Sequence, residues 1–188
     1  MRGIQLALAL RQLSAAQSEI RKLQRIDTLT GLYRREHVAK QLQEMLDRSK
    51  ARRQSLGLIA VEVDSFEEFI ERYGTLEGDI LLRSIAELLT TELTDHDALC
   101  GRYNESTYVV VLPNTSRRTL TATAEHLRRS VYELGIKHEK SSVAPFVTVT
   151  NGCALYAAGE EMDADLLLQR ARAAVRQGQG NGHNCVQV

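Results

Sequence analysis

Apolar spacing divides the chain into a helical arm followed by alternating helices and strands. Over residues 1 to about 26, Leu6, Leu13 and Ile20 recur every seventh position, with Ala9, Ala16 and Leu23 between them. This is an a/d pattern over three heptads in a stretch without proline. It fits a coiled coil between two chains and equally an amphipathic helix packed on its own domain. Beyond Asp27, Val38, Leu42, Met45 and Leu46 fall at helical spacing up to about Lys50. The run Leu56–Val63 (LGLIAVEV) reads as a central strand. Phe66, Phe69, Ile70 and Tyr73 then predict a short amphipathic helix. Ser65 and Glu68 stand at capping-box spacing before it. Gly74 and Gly78 bracket the next turn, and Ile80, Leu81, Ile85, Leu88 and Leu89 mark a helix to about Leu93.

Two β-rich runs, Ala98–Tyr103 and Thr107–Leu112, flank Asn104-Glu105-Ser106 and predict a hairpin ended by Pro113-Asn114. Ser116 caps a helix to roughly Leu134. A polar loop then leads to a strand over Phe146–Tyr156, and a last helix spans Asp163–Gln177 before the tail GQGNG. After the arm the order is α, β, α, α, β, β, α, β, α. This mixture predicts an α/β (α+β) fold: a mixed sheet flanked by helices, with an N-terminal helical arm.

Composition narrows the function classes. Lys+Arg and Asp+Glu both number 24, a formal net charge of +0, which speaks against a general nucleic-acid binder. The three cysteines (Cys100, Cys153 and Cys185) are scattered and form no CxxC pair, so neither a disulfide framework nor a zinc site is expected. No apolar run approaches the ~18 residues of a membrane span. The start MRGIQLALALRQ lacks a small-residue cleavage site, so direct membrane insertion is not expected and a cytoplasmic location is.

Glu62 and Asp64 lie two apart at a strand end, so both carboxylates face one side. Such a pair beside a helix start suits a divalent cation or phosphate chemistry. Equally, Asp64 and Ser65 can cap the helix while Glu62 is a solvated edge residue. Helix starts attract anions, but Glu67, Glu68 and Glu71 follow here and repel them. The GQGNGHN tail closes a helix instead of opening one, so it is a helix stop rather than a phosphate loop. The five histidines (His37, His96, His126, His138 and His183) show no metal-ligand spacing and read as ordinary surface or half-buried residues.

Taken in order, several stretches resemble the GGDEF domain family of bacterial diguanylate cyclases. Asp27-Thr-Leu-Thr-Gly-Leu-Tyr33 resembles DxLTGLxNRR, with Arg35 kept and Arg34 for the asparagine. Glu62-Val-Asp64-Ser-Phe66 resembles DIDxFK, and Gly74 with Gly78-Asp79 resembles GHxxGD, Thr75 replacing its histidine. Arg102-Tyr103 resembles the start of RYGGDEF, Val147–Ala154 the strand VTxSxGVA, and Gly182-His-Asn184 the closing GRN. The resemblance implies a ferredoxin-like core related to nucleotide-cyclase palms over 27–188. It also implies a signalling helix or coiled-coil linker over 1–26 that pairs two domains into a homodimer.

The departures carry the functional expectation. Asn104, Glu105, Ser106, Thr107 and Tyr108 stand where active members have GG(D/E)EF. The glycines that admit the nucleotide and a metal-holding acid are thus gone. Glu67 replaces a phosphate-contacting lysine, Ile70 a guanine-reading asparagine, and Gln179 and His183 a lysine and an arginine near the phosphates. Vestigial metal positions remain at Glu62, the Val63 carbonyl and Asp64, with Asp79 as a remnant of nucleotide binding. The product-inhibition RxxD motif corresponds to Thr94-Asp95-His96-Asp97, without its arginine. The expectation is a catalytically inactive regulatory or dimerising domain in cyclic di-GMP signalling, taken from a larger protein with sensor and EAL domains. No cofactor is expected, and Mg²⁺ only alongside residual GTP binding. The alternatives are a divergent diguanylate cyclase making cyclic di-GMP from two GTP, and a GTP-binding allosteric domain without catalysis.

Overall fold

The computed structural model describes residues 2–23, 25–93 and 97–188. The helix α1 (Arg2–Leu23) carries the arm. Residues 5–17 and Ile20 are all exposed, Leu6 and Leu13 by more than half, so α1 stands off the domain instead of packing on it.

Among the described residues, six strands form one mixed sheet in the order β1-β3-β4-β2-β5-β6. Its centre is β2 (Leu56–Val63), antiparallel to β4 (Thr107–Pro113) on one side and β5 (Val149–Tyr156) on the other. β3 (Leu99–Arg102) forms the expected hairpin with β4. The path β2, α3 (Phe66–Tyr73) with α4 (Thr75–Glu92), β3, β4, α5 (Arg117–Glu133), β5 is the split βαβ arrangement of a ferredoxin-like core. The edge strands β1 (Tyr33–Arg34) and β6 (Val186–Gln187) are two residues each and had no legible pattern in the sequence.

Both faces of the sheet are covered, which explains the nearly unbroken apolar run in β2. Ile59, Val61, Tyr108 and Val110 meet α3, α4 and α5 through Phe69, Ile85, Leu89, Leu120 and Leu127. Leu58, Ala60, Val109 and Tyr156 meet α2 (Arg35–Arg52) and α6 (Ala164–Gly180) through Leu42, Leu46, Leu167 and Ala171. At Gly152 a Cβ would lie 2.1 Å from Ala171 O, so α6 lies against bare β5 backbone there.

Several boundaries differ from expectation. α4 starts at Thr75 and runs through Gly78, which is no turn glycine. A Cβ there would lie 2.0 Å from Ile70 Cδ1, so the residue is small to let α3 and α4 meet. α6 likewise continues past Gln177 to Gly180, because Gly178 makes room for Thr150 and Cys185. β5 begins at Val149; Phe146 instead makes an isolated bridge to Lys137. Ser65 makes no capping hydrogen bond: it sits in the left-handed region (φ 53°), with its carbonyl turned into the loop beyond α5. Ser116 does cap α5, accepting from Thr119 N.

Candidate functional site

The C-terminal end of β2, the β3–β4 turn, the start of α3 and the loop after α6 converge at one end of the sheet. The turn is built from ordinary backbone. Neither Asn104 nor Glu105 has a positive φ, and both are exposed. Asn104 Oδ1 accepts from Ser106 N at 3.2 Å, closing the turn on itself, and Ser106 O accepts from Val63 N at 3.0 Å. Thr107 and Tyr108 are buried, with the Tyr108 hydroxyl donating to Leu82 O at 2.8 Å and pushed up in pKa by burial.

Arg102 ties this turn to the start of the domain. One of its nitrogens donates to Glu105 O at 2.9 Å and another approaches Asp27 Oδ2 at 3.3 Å. Burial raises the Asp27 pKa, but the Thr30 hydroxyl and N–H together with Arg102 outweigh it and hold the carboxyl below its ordinary value. Tyr103 lies buried with the guanidinium groups of Arg35 and Arg172 on its ring, 4.5 and 5.3 Å from the centroid.

The two candidate carboxylates have separate fates. Glu62 is half-buried; its Oε1 accepts from Gln179 Nε2 at 2.9 Å and its Oε2 lies 3.4 Å from Thr107 Oγ1. Asp64 is 1% exposed and accepts three donors. Thr150 Oγ1 reaches Oδ1 at 2.6 Å, Thr148 Oγ1 reaches Oδ2 at 2.7 Å, and Asn184 N reaches Oδ2 at 3.0 Å. Asn184, in the left-handed region (φ 46°), is held in turn by Arg128, whose Nη1 donates to its Oδ1 at 2.7 Å. Asp64 is thus the hub of a clasp joining β2, β5 and the C-terminal loop, and it caps no helix.

These residues do not fit a divalent cation as they stand. A Mg²⁺ ion needs carboxylate oxygens directed at it in near-octahedral geometry. Asp64 has committed both of its oxygens to protein donors, Glu62 is engaged by a glutamine, and Ser106 brings no carboxylate. Among the described residues no three His, Cys, Asp or Glu side chains are grouped to hold a metal. Around the start of α3, Glu67 and Glu68 are exposed, and Glu71 pairs with Lys140 at 3.1 Å. Ile70 is half-buried over Gly78, while Asp79 is half-buried one residue beyond it. His183 (φ 65°) belongs to the C-terminal loop, near Gln179 in sequence. The stretch Thr94-Asp95-His96 lies outside the described residues.

Other site residues escaped sequence reasoning. Thr150 on β5 and Thr148 just before it alternate opposite Glu62 at the end of β2 and Asp64 just beyond it; the matching period of two was the available signal. His138 is a correction, being 1% exposed rather than at the surface. Its Nε2 lies 2.8 Å from Ser65 O, which only accepts, so Nε2 carries the hydrogen; its ring packs edge-on against Phe69.

Residues 24–185 match the family described as diguanylate cyclase, GGDEF domain. The chain is 27% identical over 172 residues to Diguanylate cyclase A of Treponema denticola, covering 90% of this chain and 45% of that protein. It is 28% identical over 162 residues to Response regulator PleD of Caulobacter vibrioides, covering 85% and 35%. The chain therefore spans less than half the length of these relatives. Its fold is similar to the crystal structure of the coiled coil and GGDEF domain of DgcB from Caulobacter crescentus in complex with c-di-GMP. That similarity has a TM-score of 0.79 at 21% identity, over 99% of this chain and 96% of that one. With a ferredoxin-like core, the ordered motif series and a profile match over most of its length, the chain belongs to the GGDEF domain family.

Proposed function

We propose that this chain is a degenerate GGDEF module, catalytically silent, that regulates or dimerises a larger protein in cyclic di-GMP signalling. The segment 1–26, which contains α1, is the signalling arm and 27–188 the domain proper. The observation that carries the reading is the commitment of Asp64 to Thr148, Thr150 and Asn184. A carboxylate whose two oxygens are both held by protein donors acts as a structural group, and phosphoryl transfer needs metal ions to neutralise the triphosphate. Glu67 and Glu68 add negative charge where phosphates would approach, and Ile70 fills the space of a base-reading amide.

The exposed heptad side chains Leu6, Leu13 and Ile20 support pairing of two copies through the arm, since α1 buries them against nothing in its own domain. The larger protein is taken to sit in the cytoplasm and to carry sensor and EAL domains. Among the described residues no helix is long and apolar enough to cross a membrane. A divergent cyclase is the second reading, favoured by relatives named as diguanylate cyclases and by the retained Glu62 and Asp79. Calorimetric titration with GTP and with cyclic di-GMP, Mg²⁺ present, separates the two. Absence of heat from GTP is expected, whereas GTP heat with cyclic di-GMP as product overturns the proposal.

A further inference from the structure

Tyr103, directly after β3, is the meeting point of two cations from different helices. Arg35 of α2 places its guanidinium 4.5 Å from the ring centroid, and Arg172 of α6 places its own at 5.3 Å. The ring itself is buried in the layer between the sheet and these two helices. An aromatic face attracts a cation without cancelling its charge. Two like charges are therefore held against one side chain, and each repels the other.

No carboxylate answers them. Among the described residues neither Arg35 nor Arg172 makes an ion pair or donates a hydrogen bond. Glu36 and Glu105, the acids nearest to Arg35 and Tyr103 in sequence, are exposed and pair with neither. Arg176, one turn along α6 from Arg172, is exposed and unpaired as well. Other arginines of this region are matched, Arg102 by Asp27 and Arg170 by Glu160. The pair lies on the α2–α6 side of the sheet, whereas Glu67 and Glu68 open α3 on the other side.

We propose that Arg35 and Arg172 form a site for a phosphate group, free in solution or carried by a small molecule. A guanidinium grips an oxyanion through two parallel N–H···O bonds. One carboxylate fills a single such fork. A phosphate group, with nearly two charges and three acceptor oxygens, serves two forks set at an angle. Tyr103 holds both side chains in place before the ligand arrives, so less side-chain freedom is lost on binding.

The test titrates the whole chain, isotope-labelled at arginine, with inorganic phosphate, pyrophosphate and ribose 5-phosphate in low-salt buffer. Saturable shifts of the Arg35 and Arg172 Nε–Hε resonances with a common Kd are expected, weakened about ten-fold or more in Arg35→Gln and in Arg172→Gln. Arg172→Glu puts a carboxylate beside Arg35 and is expected to abolish the response. Arg118→Gln removes the same charge from the exposed start of α5 and is expected to keep the Kd within about two-fold. Tighter binding of ribose 5-phosphate than of inorganic phosphate marks a small-molecule ester as the ligand; the reverse order marks the free ion. Absence of shifts at millimolar concentrations of all three overturns the proposal. So do shifts that persist in both glutamine variants, or a loss in Arg118→Gln equal to theirs, which would reduce the effect to overall charge.

Discussion

Replacing Asp64 separates a structural carboxylate from a catalytic one. Asp64→Ala removes the acceptor for Thr148 Oγ1, Thr150 Oγ1 and Asn184 N at once, and both threonines are at most 2% exposed. An orphaned buried donor costs about 1–3 kcal/mol, so the two threonine hydroxyls set a floor of about 2 kcal/mol, to which the half-buried Asn184 N–H adds. In a chain of this size that floor corresponds to a fall in Tm of about 4–8 °C. Asp64→Asn keeps one acceptor oxygen and lets the threonine hydroxyls turn to accept from its amide, so its cost is expected to be about 1–2 kcal/mol. The assay is urea unfolding followed by circular dichroism, with EDTA present so that no metal contributes. If Asp64 instead served an incoming cation, its removal would leave metal-free stability unchanged or improve it. A value for Asp64→Ala within about 1 kcal/mol of the parent protein refutes the clasp.

Gly152→Ala drives a Cβ onto Ala171 O and Val175 N, both backbone, so α6 must lift off β5. Failure to purify a folded protein, or a destabilisation of about 3 kcal/mol or more that lowers the Tm by at least about 6 °C, is the expected outcome in thermal unfolding. Leu13→Glu leaves the exposed helix of a single chain unstrained but places a charge at a heptad position; sedimentation is expected to change from dimer to monomer, and a monomeric parent contradicts the pairing. Because the Asp27 carboxyl is depressed in the folded state, its contribution is full above the ordinary value of 3.8 and drains as pH falls through the folded value; Asp27→Asn is expected to flatten the acid limb of a stability–pH curve and leave it otherwise parallel. Ser106→Glu alone is expected to yield no cyclic di-GMP by chromatography, since Asp64 remains tied and Glu67 still repels phosphate.

The elements that were legible carry their own period. The buried run of β2, the hairpin around Asn104 and the Ser116 cap of α5 follow from local pattern and turn chemistry. What escaped depends on partners distant in sequence. Gly78 and Gly178 look like turn residues until the neighbours that exclude a Cβ, Ile70 for one and Cys185 for the other, are in place. Asp64 read as a cap or a ligand because nothing local announces Thr148, Thr150 or Asn184 as its partners. The two-residue strands β1 and β6 are too short for any period and are set by the edges they join. The acids at the start of α3 were legible as charge, because exposed side chains need no tertiary context to repel an anion.

The Asn184–Asp64 bond spans 120 residues of sequence. During synthesis, β2 and its buried acid emerge long before the loop that completes their hydrogen bonding. Folding of this end must therefore wait until Asn184 has left the ribosome, in keeping with the slow closure of distant contacts. A nascent chain stalled short of Asn184 would hold Asp64 with one of its three donors missing and β5 with no strand on its outer edge, which leaves that edge open to pairing with other chains.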